Sequence, residues 1–218
     1  MKKYFLTLVL GMFAVAGFSQ ITWDVHAGMT MNNFTQLDNA DMKVGYNVGI
    51  GLDYAITDMW SFKSGLNFTG KGSKASVEDP YEKAEEKYCP TYLEIPLMAA
   101  LKFNITDDMK FVVNAGPYLA IGLGGKDKYK YTDKETNTSV STDYKLFKKE
   151  DGAEDAIMKR FDVGLQYGIG LEVGDHWLVN LTGQNGFINV FDGIEFYDET
   201  DKLSPKNMTF TIGVGYRF

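Results

Sequence analysis

This chain has no excess of basic residues: 22 Lys and Arg stand against 29 Asp and Glu, a formal net charge of -7. Binding to nucleic-acid phosphates rests on clustered cations that displace counterions, so no nucleic-acid partner is expected. Cys89 is the single cysteine, which excludes an intrachain disulfide. The two histidines, His26 and His176, lie far apart and offer no metal-ligand spacing. Beyond the N-terminal segment no apolar run reaches about eighteen residues, so no helix there is expected to cross a membrane. That absence leaves a membrane β-barrel open, because barrel strands hide their hydrophobicity in alternation.

What the chain does have is glycine and aromatics, with 23 Gly, 13 Tyr and 15 Phe against 5 Pro. This mixture suits strands better than helix bundles. The first nineteen residues differ from the rest. Lys2 and Lys3 precede an uncharged apolar run from Tyr4 to Val15, followed by the small residues Gly17 and Ser19 and then Gln20. This is the layout of a secretory signal peptide, expected over 1–19 with cleavage after Ser19. Cleavage after Ala16, reading Ala14-Val15-Ala16, is the rival. Residues 20–218 then form one domain.

Alternation is the main signal. Val44, Tyr46, Val48, Ile50, Leu52, Tyr54 and Ile56 are bulky, while Gly45, Asn47, Gly49, Gly51, Asp53 and Ala55 between them are small or polar. Successive strand side chains point to opposite faces, so such a segment has one apolar and one polar face. The same pattern begins at Trp23, Trp60, Leu93, Phe111, Phe161, Trp177 and Met208. Eight strands result. The connections at 56–59, 104–108 and 174–176 are short, whereas those near 33–42, 72–90, 125–156 and 191–205 are long and polar. Short turns alternating with long loops predict an all-β fold: an eight-stranded antiparallel up-and-down transmembrane β-barrel with the short turns in the periplasm.

A soluble calyx would turn the apolar face inward around a greasy ligand. Here the opposite face is crowded with glycine, which suits the tight interior of a narrow barrel. Trp23, Tyr54, Trp60, Trp177, Tyr216 and Phe218 gather near strand ends, where rings favour the membrane–water boundary. The apolar face is therefore expected to meet outer-membrane lipid.

Several segments resemble a known family. The signal peptide before Gln20, the stretch Tyr92-Leu93-Glu94-Ile95-Pro96-Leu97, the strand from Phe161 to Gly170 and the ending Gly213-Val214-Gly215-Tyr216-Arg217-Phe218 are similar to the PorT-type outer-membrane β-barrel proteins of Bacteroidetes. The resemblance covers essentially all of the mature chain. It implies export through the periplasm to the outer membrane, and contact with the barrel-assembly machinery through the terminal aromatic. It implies no particular activity.

The polar face carries the acids Asp24, Asp53, Glu94, Asp162 and Glu172, and the bases Lys63, Lys102, Lys110, Arg160 and Arg217. Charges enclosed in a narrow barrel are costly unless paired, so an internal network filling the lumen is expected. Glu94 and Arg217 are expected to leave unpaired partners if replaced by alanine. The alternative is a narrow path for ions or small solutes. Asp24 and His26 share a face and could orient a general base, but no nucleophile is fixed beside them. His176 is expected to be solvated in its turn. Asp192, Glu195, Asp198, Glu199 and Asp201 make an oxygen-rich loop without EF-hand spacing. Cys89 sits at the mouth of a strand. The expectation is a non-enzymatic barrel with no catalytic, cofactor-binding or metal-ligating set. Its long loops, above all Lys126–Asp155, would meet an unidentified extracellular or envelope partner.

Overall fold

The structure, a computed structural model, describes residues 20–37, 40–148, 156–192, 196–198 and 201–218. The expected signal peptide lies outside the described residues.

Eight strands close into an antiparallel ring: β1 (Ile21–Phe34), β2 (Asp41–Ala55), β3 (Trp60–Gly70), β5 (Glu82–Thr106), β6 (Met109–Asp133), β8 (Phe161–Val173), β9 (Trp177–Gly186) and β12 (Asn207–Arg217), which pairs back onto β1. Closure gives every ladder group a partner inside the chain, the condition for strands to cross lipid. The expected fold class is what the chain adopts.

The burial pattern settles which face is outside. Along β1, Trp23, Val25, Ala27, Met29 and Met31 are exposed, while Thr30 and Asn32 are buried. In β2, Val44, Tyr46, Val48 and Ile50 are exposed as well. The apolar face points out and the glycine-rich face lines the lumen, the reverse of a calyx. Ser64, the one break in the outward face of β3, donates to the Pro96 carbonyl at 2.8 Å. Trp23, Trp60, Trp177 and Phe218 are exposed at the end that carries the short turns 56–59, 107–108 and 174–176. His176 is exposed in its turn, as expected, and there it also bonds the Arg217 carbonyl through Nδ1 at 2.9 Å and stacks on Tyr216 with centroids 5.0 Å apart. The reason is proximity, since the turn lies against the last residues of β12.

Two of the expected long loops are not loops. Strands β5 and β6 each run for 25 residues, roughly 80 Å at about 3.3 Å per residue, and a membrane strand needs only about ten. Above the barrel they are flanked by β4 (Ser73–Glu78) and β7 (Thr138–Lys145), making a four-stranded sheet in the order β4-β5-β6-β7. The fourth loop carries a small hairpin, β10 (Phe196–Asp198) with β11 (Asp201–Leu203).

The boundary between barrel and upper sheet runs across three neighbouring strands. Gly72 (φ 115°) separates β3 from β4, and its missing side chain would lie 2.0 Å from the Tyr88 carbonyl oxygen. Pro90 supplies no backbone donor to β5, though its carbonyl accepts from Lys71 N at 3.0 Å. Gly125 (φ 152°) lies opposite Pro90, just past a register shift that leaves Leu123 as an extra residue on β6. A bulge of this kind re-aims a strand.

Candidate functional site: the lumen and its closure

The lumen is filled in tiers. Nearest the short turns, Glu172 accepts from Arg217 Nη1 at 2.6 Å and from Lys63 at 3.3 Å, with Lys102 Nζ also at 3.3 Å. Asp53 completes this tier, 2.6 Å from Lys102 and 3.4 Å from Lys63. Two carboxylates thus share three cations, each carboxylate nearly sealed from solvent.

Midway, His26 Nδ1 lies 2.7 Å from Asp24 Oδ1 and His26 Nε2 lies 2.8 Å from Asn67 Oδ1. Both ring nitrogens are engaged, so neither is left to work on a substrate. Glycines make room for this chain of groups. A Cβ on Gly51 would meet Asp24 Oδ2 at 2.1 Å, and one on Gly49 would meet Asn67 Oδ1 at 2.2 Å. A polar cavity of about 130 Å³ remains at this level, bordered by Asp24, His26, Asn67, Asn114, Gln166 and Asn180.

Higher up, Lys71 is fully buried. Its ammonium lies 2.7 Å from Glu94 Oε1, 3.6 Å from Asp162 Oδ2 and 4.4 Å from the centre of the Tyr118 ring. Glu94 Oε2 also accepts from Thr69 at 2.8 Å and Gln184 at 3.2 Å. Asp162 Oδ2 accepts from Tyr118 at 3.0 Å and Asn207 at 2.9 Å.

Above this tier the lining turns apolar. Phe34, Tyr92, Tyr118, Leu146, Phe147 and Met158 form one buried cluster with Val190 and Phe191, and Tyr88 packs against it. Rings meet edge to face: Phe34 with Phe191 at 5.5 Å, Tyr88 with Phe191 at 5.4 Å, and Tyr92 with Phe147 at 5.7 Å. Phe34 comes from the end of β1, Tyr92 and Tyr118 from the middle of β5 and β6, and the others from the segments after β7, before β8 and after β9, so these segments fold inward as a lid on the barrel.

The expected network of five acids and five bases is therefore corrected. Lys63, Lys102 and Arg217 join it. Lys110 does not, because it sits at the solvated rim and is exposed. Arg160 also stands outside it: its guanidinium donates to the Gly122 carbonyl and the Phe147 carbonyl, each at 3.0 Å, and rests over the Phe147 ring. It fastens the lid. The buried cation that sequence reasoning missed is Lys71. Of the acidic loop, residues 193–195 and 199–200 lie outside the described residues. Among the described residues no three His, Cys, Asp or Glu are grouped to hold a metal ion.

On the inward face of the upper sheet, Asp127 is buried beside the carboxylate of Glu86, which accepts from the Tyr88 hydroxyl at 2.7 Å. Burial, then the charge and hydrogen bond of Glu86, push the Asp127 carboxyl up to about 7. A raised carboxyl binds its proton more tightly in the folded sheet than in the unfolded chain. Its packing is thus favoured at low pH and weakens as pH rises from about 4 through about 7. Carbon-detected NMR of the Asp127 carboxyl should show a midpoint near 7, and Glu86→Gln should lower it. A midpoint in the ordinary aspartate range would remove this pH dependence.

The sequence matches the family described as outer membrane protein beta-barrel domain over residues 16–192. The chain belongs to that family. Its place is the outer membrane. No curated protein matches the chain closely enough to count as a relative. Among solved structures it is similar to the attachment invasion locus protein Ail of Yersinia pestis, with 14% identity, 90% of this chain and 98% of that one covered, and a TM-score of 0.36. It is also similar to Neisserial surface protein A, with 12% identity, 90% and 97% coverage and a TM-score of 0.43. A third is the outer membrane enzyme PagL, with 13% identity, 89% and 98% coverage and a TM-score of 0.41.

Proposed function

We propose that this outer-membrane barrel is non-conducting and non-enzymatic, and that it serves to hold a recognition surface, the four-stranded extracellular sheet, above the membrane. The observation that carries this reading is the apolar lid of Phe34, Tyr92, Leu146, Phe147 and Met158 over the buried Lys71 tier. A conduit for ions has no use for an apolar seal above a lumen crossed by charge pairs. The engagement of both His26 nitrogens speaks against a general base there. The polar cavity of about 130 Å³ favours the rival, a narrow channel, but it lies between two charged tiers.

Planar bilayers separate the two. The full chain should give no steady open-channel current, and a persistent conductance would overturn the seal. Replacing the upper sheet, residues 74–87 and 127–144, with short turns should leave a barrel that still migrates differently before and after boiling, yet abolish partner binding.

The finer kinship with PorT-type proteins of Bacteroidetes, export through the periplasm on a signal peptide, and delivery by the barrel-assembly machinery are part of the same proposal. Phe218 supports the last. Its ring is 71% exposed, and its backbone N–H donates to Trp23 at 2.8 Å, helping close the ring of strands. An exposed ring adds little to the finished barrel. Deleting Phe218 should therefore lower the amount inserted several-fold while leaving the unfolding of inserted molecules nearly unchanged. Equal insertion of the deletion would refute a role in delivery.

A further inference from the structure

The two faces of the upper sheet differ in charge. Strand β5 alternates without a break from Leu97 to Lys83, so residues that share parity with the lipid-facing Leu93 and Thr91 continue outward as Cys89, Lys87 and Glu85. Cross-strand register assigns the rest. On this outward face Lys74, Lys87 and Lys128 stand in one row, Lys126 and Lys145 in the next, and Lys130 beyond them. The inward face carries no lysine; Tyr88, Tyr129, Tyr131 and Tyr144 stand there with Glu82, Glu86, Asp127 and Asp133.

Lys74 with Lys87, Lys87 with Lys128, and Lys126 with Lys145 are directly opposed pairs, an arrangement that destabilises a sheet. The acids on this face offset it only in part. Glu78 is engaged by Lys83 and Lys134, Glu85 by Lys83 and Lys87, and Asp143, opposite Lys128 in register, pairs with Lys126 at 3.0 Å; Asp41 stands opposite Lys74. Lys74, Lys128, Lys130 and Lys145 have no ion pair among the described residues. A face built of opposed lysines is relieved by an anion placed between them.

Position names the anion. The lipid-facing belt of β6 ends at Leu123, and Lys126 follows roughly 10 Å further along the strand. That is the depth of the headgroup layer, within reach of a flexible lysine stem. We propose that the outward face of the upper sheet binds phosphorylated headgroups of the outer leaflet, with the rows Lys126–Lys145 and Lys74–Lys87–Lys128 as the phosphate contacts. Lysine is suited to this as a compact charge that several phosphate oxygens can share. The surface is continuous with the lipid-facing wall of the barrel, so a bound headgroup belongs to a lipid whose chains already lie against Leu93 and Leu123. This inference stands apart from the sealed lumen: conductance reads that, lipid binding reads this.

The test uses the full chain in neutral detergent micelles, titrated with diphosphoryl lipid A or with phosphatidylcholine and read by thermophoresis. Lipid A should bind at least about tenfold more tightly, given the usual contribution of each lysine at an anionic surface, and added salt should weaken it. Replacing Lys74, Lys87, Lys126, Lys128 and Lys145 by Gln should erase the preference, and Glu82→Gln on the opposite face should not. The smaller variant Lys87→Gln/Lys128→Gln, checked for folding by its gel shift on boiling, keeps the test open if the larger one fails to assemble. Equal binding of the two lipids, or a preference unchanged in a folded lysine variant, would overturn the proposal. So would a soluble sulfated oligosaccharide that binds more tightly than lipid A, which would give the face to a free glycan.

Discussion

Lys71→Met should destabilise the barrel by about 3–5 kcal/mol, the usual cost of removing one partner from a buried ion pair. Lys71 and Glu94 are each 0% exposed, and Asp162 is 1% exposed. The ammonium is the only cation within 4.0 Å of either carboxylate among the described residues. Without it, two carboxylates remain in the lumen with only neutral donors: Thr69 and Gln184 on Glu94, and Tyr118 and Asn207 on Asp162. Methionine fills much of the lysine volume, so the loss reports charge and not a cavity. Glu94→Gln alone should cost less, because Lys71 keeps Asp162. The double variant Lys71→Met/Glu94→Gln should be more stable than the sum of the single effects implies, by roughly 1–3 kcal/mol of coupling. Urea unfolding in lipid vesicles, followed by the gel shift on boiling, reads all three. A loss below about 1 kcal/mol for Lys71→Met would mean that the tier is solvated and the lumen less tightly closed than its geometry implies.

Eight barrel strands were legible because strand geometry fixes a period of two, and a membrane barrel needs opposite chemistry on its two faces. Asp53, Glu94, Asp162 and Glu172 were placed inside by that period alone. Lys71 was missed for a specific reason. The apolar side of the alternation ends at Phe68, and Lys71 sits between Gly70 and Gly72, although Ser61, Lys63, Gly65, Asn67 and Thr69 run in step to it. The upper sheet was missed because both of its faces meet water, so hydropathy does not alternate there. Charge does: Lys126, Lys128 and Lys130 interleave with Asp127, Tyr129 and Tyr131. The lid left no local pattern at all. Phe34, Leu146, Met158 and Phe191 are scattered through the chain and meet only when the barrel closes beneath them.

Phe147→Ala should undock the lid while leaving the barrel standing. The ring is 6% exposed and packs edge-on against Tyr92, with Arg160 over it. Truncating a buried phenylalanine costs about 3–5 kcal/mol where the surroundings cannot collapse into the space. Here the floor is the rigid wall of β5 and β6. That loss falls on a unit tied down by few backbone bonds: Leu146 N to the Gly125 carbonyl at 3.2 Å, and Met158 N to the Leu146 carbonyl at 2.9 Å. Segments of low local stability open without global unfolding. Hydrogen exchange at the Leu146 and Met158 amides should therefore rise by roughly two to three and a half orders of magnitude, the equivalent of that energy at about 1.4 kcal/mol per tenfold. The urea midpoint of the barrel should shift little. Gly122→Val reaches the same end by another route, since a Cβ there would stand 2.4 Å from Phe147 Cζ and push the ring out of its seat. Neither variant should conduct, because the Lys71–Glu94–Asp162 tier still crosses the lumen below. Joint collapse of lid exchange and barrel midpoint would show that lid and barrel are one cooperative unit. Steady current through either variant would assign the closure of the lumen to the lid and deny it to the charged tier.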